Sequence, residues 1–357
     1  FAACAYAHYL NYGLRLKERQ LLEFASVDMG NIYHDALEHF SRRVEKSEYT
    51  WFNIPEDVQE TFIEECKNAG AFENVRNRYL TGRMRQTIKR TVWALTTQIQ
   101  KGKFVPSDFE VSFSRADKLD AIRFQLSDEE KMNLLGRIDR VDTYETSDKV
   151  YVKIIDYKSG NTSFSLVNLY HGLQLQLVVY MNAAMELESR KHPDKEIVPA
   201  ALLYYHIDDP TIDTPVELTD EQINEQILAK LRTNGVVNSD PGVVERLDHY
   251  LQDKSAVIPV EKKKDGSFSA RSGVLSREEM QLVSAYVDAK IRDIGREILD
   301  GKIAANPYEK GNEEACTYCA YKKVCGFDGS IPGYEKRQLE DLDKQTLMQR
   351  MQETTEA

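Results

Sequence analysis

The stretch 134–180 constrains this chain more than any other. It reads LLGRIDRVDTYETSDKVYVKIIDYKSGNTSFSLVNLYHGLQLQLVVY. Residues 134–141 are short, apolar and rich in strand formers, with Asp139 among them. Residues 143–149 are polar and turn-like, and 150–157 (VYVKIIDY) read as a second strand. Two such runs joined by a short polar loop pair most simply as an antiparallel hairpin. Side chains alternate faces along a strand, so Val152, Ile154, Asp156 and Lys158 share one face. A largely apolar helix is expected over 166–188. Gln176 and Tyr180 lie one turn apart on one of its faces, and Gly172 sits one turn earlier, where another backbone can approach.

A carboxylate and an ammonium two residues apart, ending an apolar strand, point to chemistry more than to core. Phosphodiester hydrolysis needs such a set: hard oxygen ligands for Mg²⁺ or Mn²⁺, and a nearby lysine to orient water and offset developing charge. Asp139 and Asp156 are the candidate metal ligands, and Lys158 is the candidate partner of the water. The bland alternative is a surface hairpin with charged ends, because Asp-x-Lys alone is common.

Gly-Arg-Ile-Asp (136–139), Asp-Tyr-Lys (156–158) and Gln-Leu-Val-Val-Tyr (176–180) together resemble successive motifs of the RecB-type nucleases in the PD-(D/E)XK superfamily. The resemblance implies a restriction-endonuclease-like α/β core, a mixed central sheet flanked by helices. It implies that Asp139 and Asp156 hold the metal with the Tyr157 carbonyl, and that Gln176 and Tyr180 orient Lys158 or the phosphate. In that family the first motif is a helical His after a Gly. Gly30 and His34 fit it, on a helix expected over 28–45 whose buried stripe is Tyr33, Leu37, Phe40 and Val44. His34 is thereby implied as a further ligand, and an imidazole beside two carboxylates suits Mn²⁺ somewhat better than Mg²⁺. Glu38 and Glu110 are assigned supporting roles. The Pro of the superfamily name is absent here, as is common among RecB-type members.

Charge narrows how nucleic acid would be met. The net charge is −11, which argues against a general electrostatic binder. From 74 to 107 there is no Asp or Glu but there are eight Lys or Arg. Within that window Arg83, Arg85, Lys89 and Arg90 are candidate phosphate contacts, weighed against an ordinary solvated helix face. Most of the net negative charge falls between 208 and 253, where eleven acidic residues meet three basic ones. Helices are expected over 56–68 and 76–100, the latter with an Ile88, Val92, Leu95, Ile99 stripe. Strands are expected over 108–113, 121–126 and 199–206. Residues 208–272 read as irregular with short helices, and 276–301 as a helix capped by Ser276.

Five cysteines, an odd number, argue against a disulfide framework and favour a reducing cytoplasm. Cys66 reads as a packing residue. Cys316, Cys319 and Cys325 have C-x2-C-x5-C spacing, the mark of a metal centre one ligand short of four. Cys4 can supply the fourth. With the nuclease motifs, this pattern is similar to AddB-type nucleases of bacterial helicase–nucleases. That resemblance implies a 4Fe–4S cluster stapling the two ends of the domain, with zinc the alternative.

It also implies an AddA-like partner subunit and cleavage of unwound single-stranded DNA, on the 5′-terminated strand, during repair of duplex ends. The expected organisation is a nuclease domain over 1–329, with its core near 28–206, a helical tail over 330–357, and a longer parent chain. No phosphate-binding loop of the G-x-x-x-x-G-K-[ST] kind and no apolar run long enough for a membrane occur in the sequence. A stand-alone iron–sulfur exonuclease and a non-catalytic DNA-binding module are the competing readings.

Overall fold

A six-stranded mixed sheet forms the centre of the computed structural model, which describes residues 1–17, 26–66, 78–113, 119–214 and 217–356. Helices α1 (Ser26–Glu45), α2 (Glu56–Cys66) and α3 (Arg78–Gln100) lead into strand β1 (Val105–Phe113). The hairpin β2 (Gly136–Glu145) and β3 (Lys149–Lys158) follows, then helices α4 (Leu166–Tyr170) and α5 (Gln176–Lys191) and strand β4 (Glu196–His206). Next come α6 (Asp220–Lys230), β5 (Asn234–Asn238), α7 (Pro241–Leu247), β6 (Val274–Leu275), α8 (Arg277–Leu299) and α9 (Lys344–Glu356). The strands lie side by side in chain order. β3/β4 and β5/β6 pair in parallel and the other neighbours antiparallel. α4 and α5 make the crossover that the parallel β3/β4 pair requires.

Each sheet face has its own core. One packs Leu37 and Phe40 of α1 and Ile88 and Val92 of α3 against Ile155, Tyr157 and Leu203. The other packs Leu177 and Met181 of α5 and Val283 and Val287 of α8 against Val152, Ile154 and Leu202. The helical stripes expected for α1 and α3 are the buried ones. α8 starts where its sequence says it should: Ser276 and Glu279 close a reciprocal capping box.

Several elements differ from expectation. β2 runs on to Glu145, so the turn is only 146–148; Thr143 and Tyr144 are good strand formers and pair with Val152 and Tyr151. The helix expected over 166–188 is broken. Gly172 takes φ +80° between α4 and α5, and a Cβ there would lie 3.1 Å from Ala2 Cβ. The glycine therefore admits the approach of a distant segment, as anticipated, but by ending a helix rather than by lying within one.

Residues 123–125 join 131–133 in a separate two-stranded ribbon instead of the central sheet. The region 208–272 contributes strand β5. The 330–357 segment, expected outside the core, buries Leu347 and Met351. Residues 67, 68, 76 and 77 of the expected second and third helices, and the Cys66 side chain, lie outside the described residues.

Behind β2 and β3 sits a buried charged cluster. Arg140 donates to both oxygens of Asp142 at 2.5 and 2.7 Å, and Lys153 Nζ lies 2.7 Å from Asp142 Oδ2. Arg140 is 1% and Asp142 0% exposed, so neither charge has water to fall back on. The Arg140 guanidinium also faces the Trp51 ring. Removing the one carboxylate strands two buried cations, which costs about 3–5 kcal/mol. Asp142→Ala is therefore expected to lower the urea unfolding midpoint by a corresponding amount; an unchanged midpoint would mean that the cluster is hydrated in solution.

Candidate metal centre and active site

β1, β2 and β3 bring four acidic and basic groups to one end of the sheet. The pairing Arg140↔Ile155, continued by one residue, sets Asp139 across from Asp156 on one face. Asp139 is anchored by its Oδ2, which accepts from the Tyr157 N–H at 2.7 Å. α1, docked on the sheet by its apolar stripe, delivers His34. Its Nδ1 lies 3.4 Å from Asp139 Oδ1 and 3.6 Å from Glu110 Oε1. The His34 ring meets the Tyr157 ring edge-on.

Glu110 is the residue whose importance the sequence understates. The flanking pairs Phe109↔Arg140 and Val111↔Ile138 place it across from Asp139. Its φ of +50° is the left-handed region, strained for a non-glycine residue. Phe109 packs into the α1–α3 core, whereas Val111 and Phe113 pack into the α5–α8 core. The kink at Glu110 thus flips the alternation of the strand, as a bulge does, and turns its carboxylate into the site. Ligand atoms of His34, Glu110 and Asp139 all fall within 4.8 Å of one another.

On the next strand, Lys158 Nζ lies 2.5 Å from Asp156 Oδ2 and 3.3 Å from Gln176 Oε1. Gln176 Nε2 donates to the Tyr180 hydroxyl at 2.7 Å. Both residues sit on the first turns of α5, so the break at Gly172 leaves their spacing intact. The structure thus gathers His34, Glu110, Asp139, Asp156, Lys158, Gln176 and Tyr180. The Tyr157 ring points to the other face, toward Arg140, and its main chain faces the site.

Burial and mutual repulsion set the protonation. Asp156 is 2% exposed; burial first, and then the charge of Asp139, push its carboxyl up to about 6 against the pull of Lys158 and His34. Burial pulls the His34 imidazolium down, but its hydrogen bonds and charge contacts with Asp139 and Glu110 outweigh this and bring it to about 10. Buried Asp156 Oδ2 and Glu110 Oε2 touch Lys158 and Arg137 without the alignment of a hydrogen bond. Under-satisfied carboxylate oxygens beside an imidazole fit a hard divalent cation, and His34, Glu110, Asp139 and Asp156 are the groups that would hold it.

The four candidate phosphate contacts on α3 are differently placed. Arg85 pairs with Glu64, Lys89 with Glu60 and Arg90 with Asp209. Arg83 is exposed and, among the described residues, forms no ion pair; it lies close enough to influence Tyr33, beside His34. Three of the four candidates are therefore neutralised by neighbouring acids.

Cys4, Cys316, Cys319 and Cys325 are free and line one cavity of about 280 Å³. Burial, then the neighbouring Cys319, raises the Cys316 thiol, with Cys4 and Cys325 adding to it. Main-chain hydrogen bonds already join the two ends here, Tyr6 N–H to the Ala304 carbonyl and Tyr308 N–H to the Ala3 carbonyl. Among the described residues no three cysteine sulfurs fall within 4.8 Å of one another. Thiolates sharing one zinc stand only about 3.8 Å apart, given a Zn–S bond of about 2.3 Å.

Metal binding requires the ligands deprotonated. With Asp156 near 6 and His34 near 10, Mn²⁺ affinity is expected to fall as pH falls, steeply below about pH 6, and binding at neutral pH is expected to release protons. Calorimetry in buffers of different ionisation heat measures both. An affinity that stays flat through this range would remove Asp156 and His34 from the ligand set.

Comparison with known proteins agrees with this geometry. The family profile described as the PD-(D/E)XK nuclease superfamily matches residues 1–326. A relative named as a subunit of an ATP-dependent helicase/deoxyribonuclease, from Lachnoclostridium phytofermentans, is 42% identical over 97% of this chain and 30% of its own length. Relatives of the same name from Clostridium tetani and Thermoanaerobacter sp. are 36% and 34% identical. They cover 99% and 93% of this chain and 31% and 30% of their own lengths. The chain thus spans about a third of the length of these relatives. By its motifs, its sheet and this match over most of its length, the chain belongs to the PD-(D/E)XK nuclease superfamily.

Proposed function

We propose that this chain is the nuclease module of a helicase-linked enzyme and hydrolyses phosphodiester bonds of single-stranded DNA. The observation that carries the reading is the convergence of His34, Glu110 and Asp139 within 4.8 Å, with Lys158 held beside Asp156. A divalent cation there, Mg²⁺ or Mn²⁺, polarises the phosphate and lowers the pKa of water. His34, Glu110, Asp139, Asp156 and the Tyr157 carbonyl are its proposed ligands. Lys158 orients the attacking water and offsets the charge that develops on the phosphate. Gln176, braced by Tyr180, fixes the Lys158 ammonium. Arg83 makes the phosphate contact that the paired cations of α3 leave to it.

The likeness to helicase/deoxyribonuclease subunits supports a helicase-bearing partner, AddA-like, and a place in processing broken duplex ends in the cytoplasm. Cutting of the 5′-terminated strand is part of the same proposal. Cys4, Cys316, Cys319 and Cys325 are proposed to hold a 4Fe–4S cluster that ties the ends of the domain together. Closing so long a loop stabilises by about 5–6 kcal/mol in a chain-entropy model.

The test is Mg²⁺-dependent cleavage of single-stranded DNA by wild type and Asp156→Ala, with visible spectra recorded in parallel. A brown wild type that cuts and a brown, inactive Asp156→Ala are expected, with activity down by about a thousandfold or more. Cleavage surviving in Asp156→Ala would end the assignment of that carboxylate. Cys4→Ser is expected to lose the visible absorbance and to melt several degrees lower; an unchanged spectrum would separate Cys4 from the cluster.

A further inference from the structure

Lys158 is held from three directions. Asp156 and Gln176 account for two. The third is the ring of Tyr204, whose centroid lies 5.2 Å from Lys158 Nζ. Tyr204 stands on β4, where the parallel register pairs it with Asp156 and pairs His206 with Lys158. Paired residues of neighbouring strands project to the same face, so the ring rises beside the Asp156–Lys158 pair. It is 2% exposed and backed by the Phe164 ring, 6.5 Å away between centroids. A buried, backed ring is a fixed wall, not a side chain that drifts.

We propose that Tyr204 is a positioning residue that holds the Lys158 ammonium in place through the face of its ring. The inference deepens the nuclease reading and rests on it. Lys158 Nζ rests 2.5 Å from Asp156 Oδ2, and the carboxylate alone would leave a flexible lysine free to swing about that oxygen. A ring face attracts an ammonium by its quadrupole, yet offers no anionic oxygen to compete for a cation. It therefore fixes the side of Asp156 on which Nζ rests without adding a rival to the metal ligands. Gln176 supplies a second neutral attraction from the α5 side. Between them, two uncharged groups set where the charge sits. The Tyr204 hydroxyl has no part in this, so the proposal separates ring from hydroxyl.

The experiment replaces Tyr204 with Phe, and then with phenylalanines bearing one, two and three ring fluorines, in the full-length protein within its native assembly. Fluorination drains electron density from the ring face while nearly preserving its shape, so folding is spared; equal melting temperatures across the series check this. Tyr204→Phe is expected to keep kcat for Mg²⁺-dependent single-stranded DNA cleavage within about twofold. kcat is then expected to fall stepwise with fluorine number, by about tenfold at three, the range of a desolvated cation–ring contact.

KM for DNA and the Mg²⁺ concentration for half-maximal rate are expected to stay constant, which a merely structural role would not predict. A flat series with an active wild type overturns the role of Tyr204 alone. A Tyr204→Phe variant as slow as the trifluorinated one overturns it too, in favour of the hydroxyl. A folded wild type that does not cut overturns the nuclease reading beneath it.

Discussion

The antiparallel register between β2 and β3 is the constraint from which the rest of the molecule follows. A strand has a period of two, so a slip of one residue would exchange its faces. In the observed register Asp142 meets Lys153, and the hairpin turn is confined to 146–148. The same alignment sets Asp139 across from Asp156 on the opposite face. Two charged groups thereby stand on opposite faces of the sheet: Asp139 and Asp156 toward the site, and the Arg140–Asp142–Lys153 cluster behind it. The buried cluster is a register lock with a chemical consequence. Asp142 loses Lys153, its partner across the pair, if the strands slip, and the slip would carry the candidate metal ligands into the core.

The site itself works against the fold when no cation is bound. The Asp156 carboxyl is raised to about 6, above its unfolded value of roughly 4. Its contribution to stability is therefore complete only below the unfolded pKa and is lost as pH rises through about 6. At neutral pH it is ionised, buried and close to Asp139. His34 offsets part of this cost, because the two carboxylates raise it to about 10 and keep it protonated. The imidazolium occupies the electrostatic place that a divalent cation would take. Metal binding then exchanges a proton for a stronger charge, which makes proton release a property of the resting structure and not of the catalytic cycle.

These features were unequally legible in the sequence. Asp156 and Lys158 are legible because strand alternation groups them, Asp139 because a short hairpin brings its strand alongside, and Gln176 and Tyr180 because helical spacing does. Glu110 reads from sequence only as a supporting residue. DFEVSF alternates apolar residues at Phe109, Val111 and Phe113, as a regular strand would, with Glu110 facing away from them. The left-handed kink that breaks the alternation has no marker in residue type, since glycine would be the usual sign. The ion pairs of the basic window are hidden from the sequence for a related reason. A local count of Arg85, Lys89 and Arg90 cannot include Glu64, Glu60 and Asp209, which folding brings alongside. Strand β5 is hidden inside a polar region because the strand is only Asn234–Asn238 and its antiparallel partner lies well upstream.

The cysteine-bearing ends bear on the chemistry through the helix break at Gly172. Ala2 approaches that glycine closely enough that a Cβ there would crowd it. Lys310 reaches Asn168 of α4, and His171 meets the Glu340 carbonyl. The terminal segments thus grip the short connection 171–175 that ends four residues after Gly172, at Gln176. Gln176 in turn meets Lys158. A group tying Cys4 to Cys316, Cys319 and Cys325 would hold Ala2 against Gly172, and with it the start of α5. Such a group and the site would then not be independent parts. Loosening the ends would free the helix whose first turn meets Lys158, so loss of the proposed cysteine-bound group would reach the site through packing, with no electron transfer required.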